Sequence, residues 1–343
     1  MKQRIRLIIF LLLASHTTGV QAKIKWSAGI KEDYVSRFQY HLGSDGVAIV
    51  RRNLFDMGFE SITAITRLAM MGKNESQVFQ PVSRTRLSDM ETLMSRVIQA
   101  RGEFVIKPVI FLNPEYGIVS RLTGIEPSDP RLWFSTYWQA YAPLIALTQR
   151  REVSELVLGV GLHGLWKPEF SDAWTQLASE AERRSAAQTR LSIEISSHAD
   201  LIAFEHWKNQ NPTGYGQFTS HLSRIRIASA LAVQPSVLSK AQSLFPGKKI
   251  TLANTIVPAC RAYYLEEDEG FCTPHSPRDD EYQAQNLDAW FRWFTQISEN
   301  QRRWIAEVEF LAATTDPEPD LERADPRFLY FNPFIKDVFL RNR

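Results

Sequence analysis

Phe104-Val105-Ile106-Lys107-Pro108-Val109-Ile110-Phe111-Leu112 is the stretch on which the fold turns. Apolar residues run through it almost without a break. A strand with one wet face alternates apolar and polar residues, so a continuous run reads as a strand covered on both faces. Such strands belong to parallel sheets flanked by helices.

Working outward, the same kind of short β-like run recurs at Lys25–Ile30, Ser61–Ala69, Glu155–Gly161, Leu191–Ser197, Arg224–Ala230, Lys249–Asn254 and Trp304–Leu311. Longer helical patterns separate the runs. Between Ser88 and Ala100, Met90, Leu93, Met94, Val97 and Ile98 fall on one face at the 3.6-residue period. Ser88-Asp89-Met90-Glu91 reads as a capping box with Ser88 at the N-cap. Phe134–Gln149, Asp172–Ala187 and Asn286–Asn300 have similar patterns. Eight strands alternating with helices predict an α/β chain folded as a single (β/α)8 TIM-type barrel. An open doubly wound sheet competes, but no glycine-rich phosphate turn follows the first strand. In a barrel, chemistry gathers at the C-terminal ends of the strands.

Composition narrows the class. Lys2, Arg4 and Arg6, the apolar run Leu7 to Ala14 and the small-residue site Val20-Gln21-Ala22 predict a signal peptide over 1–22, with the barrel over 23–343. The apolar run is too short for a membrane anchor. The expected location is periplasmic or secreted. The chain has 40 basic and 38 acidic residues; without the three leader cations 37 face 38, a net charge of −1. No basic stripe remains to attract nucleic acid or an anionic membrane. In an oxidising compartment the two cysteines, Cys260 and Cys272, are expected to form a disulfide that closes the loop Arg261 to Phe271.

A family resemblance rests on motifs in order. Met57-Gly58-Phe59-Glu60-Ser61-Ile62-Thr63, then Arg86-Leu87-Ser88-Asp89 through Val97-Ile98-Gln99-Ala100 into Val105-Ile106-Lys107-Pro108-Val109, resembles the family 113 glycoside hydrolases, clan A barrels acting on β-mannans. Trp133-Phe134-Ser135-Thr136-Tyr137-Trp138, Leu158-Gly159-Val160-Gly161 and, more weakly, Thr314-Thr315-Asp316-Pro317 extend it. The resemblance implies a general acid in a Gly-Thr-Glu segment after strand four, where this chain reads Gly161-Leu162-His163. It implies a nucleophile in a Thr-Glu-Ile-Gly segment after strand seven, where Asn254 or, one register on, Thr255 stands. Neither glutamate is kept. Retaining hydrolysis needs two carboxylates about 5–5.5 Å apart, one to form the glycosyl ester and one to move the proton. Asparagine forms no such ester.

Other carboxylates are candidates for a displaced pair: Glu194 in strand five, Glu309 (with Glu307 on the same face) in strand eight, Asp316 beyond it, and Glu115 just beyond strand three. The competing role is pairing with an interior cation, Lys107 or Arg67. His163, His198, Asp200 and His206 lack the spacing of a metal helix and read as ordinary hydrogen-bonding residues. Trp166, just after strand four, serves either as a sugar-stacking ring or as core; Trp207, Trp290, Trp293 and Trp304 read as core, and Tyr263 and Tyr264 as possible mouth residues. The expected binding cleft is Asn113, His163, Trp166, Asn254 and Asp316, with no cofactor and no metal. The reading is therefore an exported glycoside-hydrolase-like barrel that binds a polysaccharide or glycan without the family's hydrolysis. Two alternatives stay open: an active glycosidase with displaced carboxylates, and a docking component of a surface-polymer assembly with a protein partner.

Overall fold

The computed structural model describes residues 24–31, 55–80, 87–112, 124–150, 153–232, 234–257, 263–266, 269–272, 279–313, 329–330 and 333–342. Residues 1–22, where a signal peptide is expected, and Asn113, Glu115, Asp316 and Cys260 lie outside the described residues, and so does the expected Cys260–Cys272 pairing.

Eight parallel strands form a closed sheet: β1 (Lys25–Lys31), β2 (Ser61–Met70), β3 (Glu103–Leu112), β4 (Val153–Val160), β5 (Arg190–Ile195), β6 (Arg224–Ala228), β7 (Lys249–Thr255) and β8 (Ile305–Ala313). Each strand pairs with the next in sequence, and β8 returns to β1 with Lys25 opposite Glu307 and Gly29 opposite Leu311. Closure leaves no unpaired edge, which an open sheet would have to protect. The chain is a (β/α)8 barrel. All eight strand runs expected from the sequence are strands, with ends that differ by only a residue or two. A hairpin not expected from the sequence, Tyr263–Glu266 against Glu269–Cys272, lies between β7 and β8.

The outer layer consists chiefly of α1 (Leu87–Gln99), α2 (Pro130–Arg150), α3 (Ser171–Arg184), α4 (His198–Gln210), α5 (Pro212–Ser220), α6 (Pro235–Leu244), α7 (Asp280–Gln296) and α8 (Pro333–Arg341). Helix α1 buries Met90, Leu93, Met94 and Val97, the face its periodicity defines. It already starts at Leu87, so Ser88 lies within the first turn and does not cap it. Between barrel and helices sits an aromatic shell. Trp26 packs edge-on against Trp290, Phe291 and Phe294, and Trp174 packs against Trp133, Phe134 and Trp166. On α2 the fully buried Tyr137 and Tyr141 donate their hydroxyls to the Leu158 and Val157 carbonyls, at 2.6 and 2.7 Å. Two bonds one turn apart fix α2 against β4, the strand whose exit matters most below.

Candidate active site

Inside the barrel, alternate strands supply side chains to successive levels, as the closed geometry requires. The even strands place Ser61, Glu155, Arg224 and Glu307 at the lower level, then Thr63, Val157, Arg226 and Glu309 above. Three cations and four carboxylates fill this interior, and all are at most 8% exposed. Arg226 reaches Glu155 at 2.8 Å and also pairs with Glu309; Arg224 pairs with Glu307 and lies 3.5 Å from Glu155. Ser61 donates to Glu307 at 2.8 Å and Ser192 to Glu155 at 2.7 Å.

At the top of this stack stands Lys107. Its ammonium donates to Glu309 Oε1 at 2.7 Å, Asn254 Oδ1 at 2.9 Å and Glu194 Oε2 at 3.1 Å, so all three of its protons are used. Gly29 leaves the room this requires, because a Cβ there would lie 3.2 Å from Glu309 Oε1. Burial alone would raise the Glu309 carboxyl, but the facing charges of Arg226 and Lys107 outweigh it and hold it at about 2. Glu155 is likewise held low, its burial outweighed by Arg226 and Arg224. Arg226, opposite these carboxylates, is pushed further up in spite of its burial.

Asn254 reaches Lys107 through a local irregularity. Val308 pairs with Leu252 and Phe310 with Thr255, so Ala253 and Asn254 both face Glu309 in a β-bulge. Asn254 takes φ 53°, a left-handed conformation that asparagine tolerates better than most residues. The bulge turns its side chain inward, where its amide donates to Glu194. Thr255, the other register of the nucleophile position, is buried, and its hydroxyl has no hydrogen-bond partner among the described residues.

The β4 exit is a tight turn. Gly161 has φ 64°, and a Cβ there would meet Ser196 Oγ at 3.0 Å. Backbone bonds from Leu165 and Trp166 to the Leu162 carbonyl close the turn, and Trp174 donates to the Leu165 carbonyl at 2.8 Å. A side chain on Gly164 would begin 2.1 Å from the Ile125 carbonyl oxygen, so the turn packs directly on the 124–128 backbone. His163 rides on this turn, partly exposed, with Gly124 on one side.

The structure brings some of the expected cleft together and corrects the rest. His163 and Asn254 stand at the exits of β4 and β7, at the C-terminal mouth. Trp166 does not line that mouth as a stacking ring: the turn folds it inward, fully buried, 4.2 Å from Trp174 and 4.9 Å from Phe204 between ring centroids. A ring covered on both faces has none left for a sugar. Glu194 and Glu309 are fully buried and shared on one ammonium, so neither reaches a substrate at the mouth. The interior partners of the four acids are Lys107, Arg224 and Arg226, while Arg67 lies 4.9 Å over the Phe111 ring. Asp200, weighed as a metal ligand, closes a capping box: its Oδ2 accepts from the amides of Ser196 and Ser197 and from the Ser197 hydroxyl. Arg224, Arg226 and Glu155 were not singled out from the sequence, although Arg224-Ile225-Arg226-Ile227 carries the signal, two charges at strand period facing one way.

No family profile matches the chain, and no curated protein is similar to it in sequence. Its fold is that of solved glycoside hydrolases. It is similar to a family 113 β-1,4-mannanase, with 11% identity, 94% of this chain and 98% of that one covered, and a TM-score of 0.63. It is also similar to the family 113 β-mannanase AaManA of Alicyclobacillus acidocaldarius in complex with ManMIm, at 11% identity, coverage of 93% and 95%, and a TM-score of 0.64. Fungal β-1,4-galactanases match at 12% identity, with 93% and 100% covered and a TM-score of 0.58. At such identities the likeness is one of fold.

Proposed function

We propose that this chain is an exported barrel that binds a β-linked polysaccharide at its C-terminal mouth and does not hydrolyse it by the two-carboxylate route. One observation carries the reading: His163 and Asn254 hold the β4 and β7 exits, while the interior glutamates nearest the mouth are locked in ion pairs. A retaining enzyme needs a carboxylate nucleophile, and an inverting one needs a carboxylate base about 6.5–9.5 Å from its acid. Glu309, held at about 2 by Arg226 and Lys107, is also the wrong kind of group for a general acid near neutral pH. A displaced pair made of Glu194 and Glu309 therefore has little support. Glycan binding draws support from the neighbours of the same fold, a β-1,4-mannanase and β-1,4-galactanases among them. Export draws support from the leader read in 1–22.

The test pairs two measurements on the natural protein. Affinity electrophoresis through gels containing β-1,4-mannan or β-1,4-galactan should show retarded migration, while a reducing-sugar assay on the same polymers stays at background. Restoring both glutamates, His163→Glu with Asn254→Glu, sharpens the test, because new reducing ends would then report a mouth that still seats a sugar ring.

A further inference from the structure

We propose that the groove between the β4 exit turn and the outer face of α4 is a second saccharide subsite, which seats a neutral pyranose ring of a chain whose other end lies in the mouth. This rests on the binding function proposed above and adds a place and a chemistry to it.

Helix α4 is apolar on two faces. Leu201, Phe204 and Trp207 point inward and are fully buried. Ala199, Ile202 and Ala203 make a second, apolar patch on the outside, where a surface helix is ordinarily charged, and the His206 imidazole follows it at i+7. Ile202 is 60% exposed. Across from this patch stand His163, Lys167 and Glu169 from the β4 exit, and between the two walls lies an open groove of about 400 Å³.

Size selects the occupant. The groove lies within the range of about 300–1,000 Å³ that small ligands occupy. A protein partner would bury about 800 Å² on each side, and a single exposed isoleucine between short polar walls offers far less apolar contact than that. The chemistry selects it further. The alanines and Ile202 suit the C–H face of a sugar, and the imidazoles of His163 and His206 suit its hydroxyls. Lys167 and Glu169 are opposite in sign, which favours a neutral ring over a charged one. His163 ties the groove to the β4 exit, since it both follows β4 and lines the groove. At the same end Trp166 Nε1 and Asp200 Oδ1 are buried with no hydrogen-bond partner among the described residues. His163 is close enough to Asp200 to bear on its carboxyl.

Calorimetric titration of the full chain with β-1,4-linked manno- and galacto-oligosaccharides, each as disaccharide and hexasaccharide, tests the proposal. Ile202→Asp and His206→Ala are both on the outside of α4 and leave its core face intact. Each should weaken hexasaccharide binding about tenfold, equivalent to about 1.4 kcal/mol, and leave disaccharide binding at the mouth unchanged. Hexasaccharide affinity unchanged in both variants overturns the subsite and leaves the mouth reading standing. Loss of disaccharide binding as well shows that the groove is not a separate subsite, which also overturns it. If the natural protein binds none of these sugars, the subsite and the binding function fall together.

Discussion

The inside of the barrel and the shell around it are built from opposite chemistry. The shell is aromatic and apolar, with Trp133, Trp166, Trp174 and Trp207 all fully buried. The interior is a stack of ion pairs in which Lys107, Arg224 and Arg226 serve Glu155, Glu194, Glu307 and Glu309. Each solution fills space. The apolar one gains by removing surface from water. The ionic one gains little net stability over an apolar filling, because desolvation opposes the Coulomb attraction, but it penalises any rearrangement that leaves one charge alone. The fold is therefore held rigid directly beneath the mouth, by a network that every member needs.

That contrast can be broken in several ways. Arg226→Met should destabilise the fold by about 3–5 kcal/mol because Glu155 and Glu309 lose their facing charge. Urea unfolding measures it, and part of the loss should be recovered in acid as the stranded carboxylates become neutral. Trp174→Ala, in the shell, should cost a similar amount, about 3–5 kcal/mol, through the cavity it leaves. Its loss should be the same at every pH at which the natural protein is folded, since no charge is stranded. If both variants show the same pH dependence, the two regions are not held by different forces.

A smaller effect follows from Glu309 in the natural protein. Its carboxyl is held at about 2 against an ordinary 4.5. A carboxylate lowered by folding stabilises the native state fully above the ordinary value, and the contribution fades as pH falls from 4.5 towards 2. The loss should be on the order of 3 kcal/mol, and Glu309→Gln should flatten that part of the stability curve. Thermal unfolding followed between pH 6 and about pH 2.5 reads it directly.

The same contrast explains what the sequence disclosed. The strands were legible because covered strands write themselves as apolar runs, and Phe104 to Leu112 is the plainest of them. Lys107 inside that run, with Glu307 and Glu309 at strand period, pointed to interior pairing, and Lys107 does meet Glu309 and Glu194. The choice of Arg67 over Arg224 and Arg226 missed the larger part of the network. Trp166 was ambiguous because its direction depends on the Leu162–Trp166 turn, and five residues of loop do not declare which way a ring folds. The inward aim of Asn254 was out of reach for the same kind of reason: strand parity alone turns it away from the barrel, and only the bulge at Ala253 reverses it.

The account stands or falls on whether the mouth holds a glycan without cutting it. The most direct measurement incubates the purified natural protein with β-1,4-mannan and β-1,4-galactan, then follows polymer-bound protein and new reducing ends in the same sample. The prediction is polymer-bound protein and no new reducing ends beyond a blank. Reducing ends that accumulate with protein concentration and time would contradict it, and would mean that a carboxylate pair other than one at His163 and Asn254 works at this mouth.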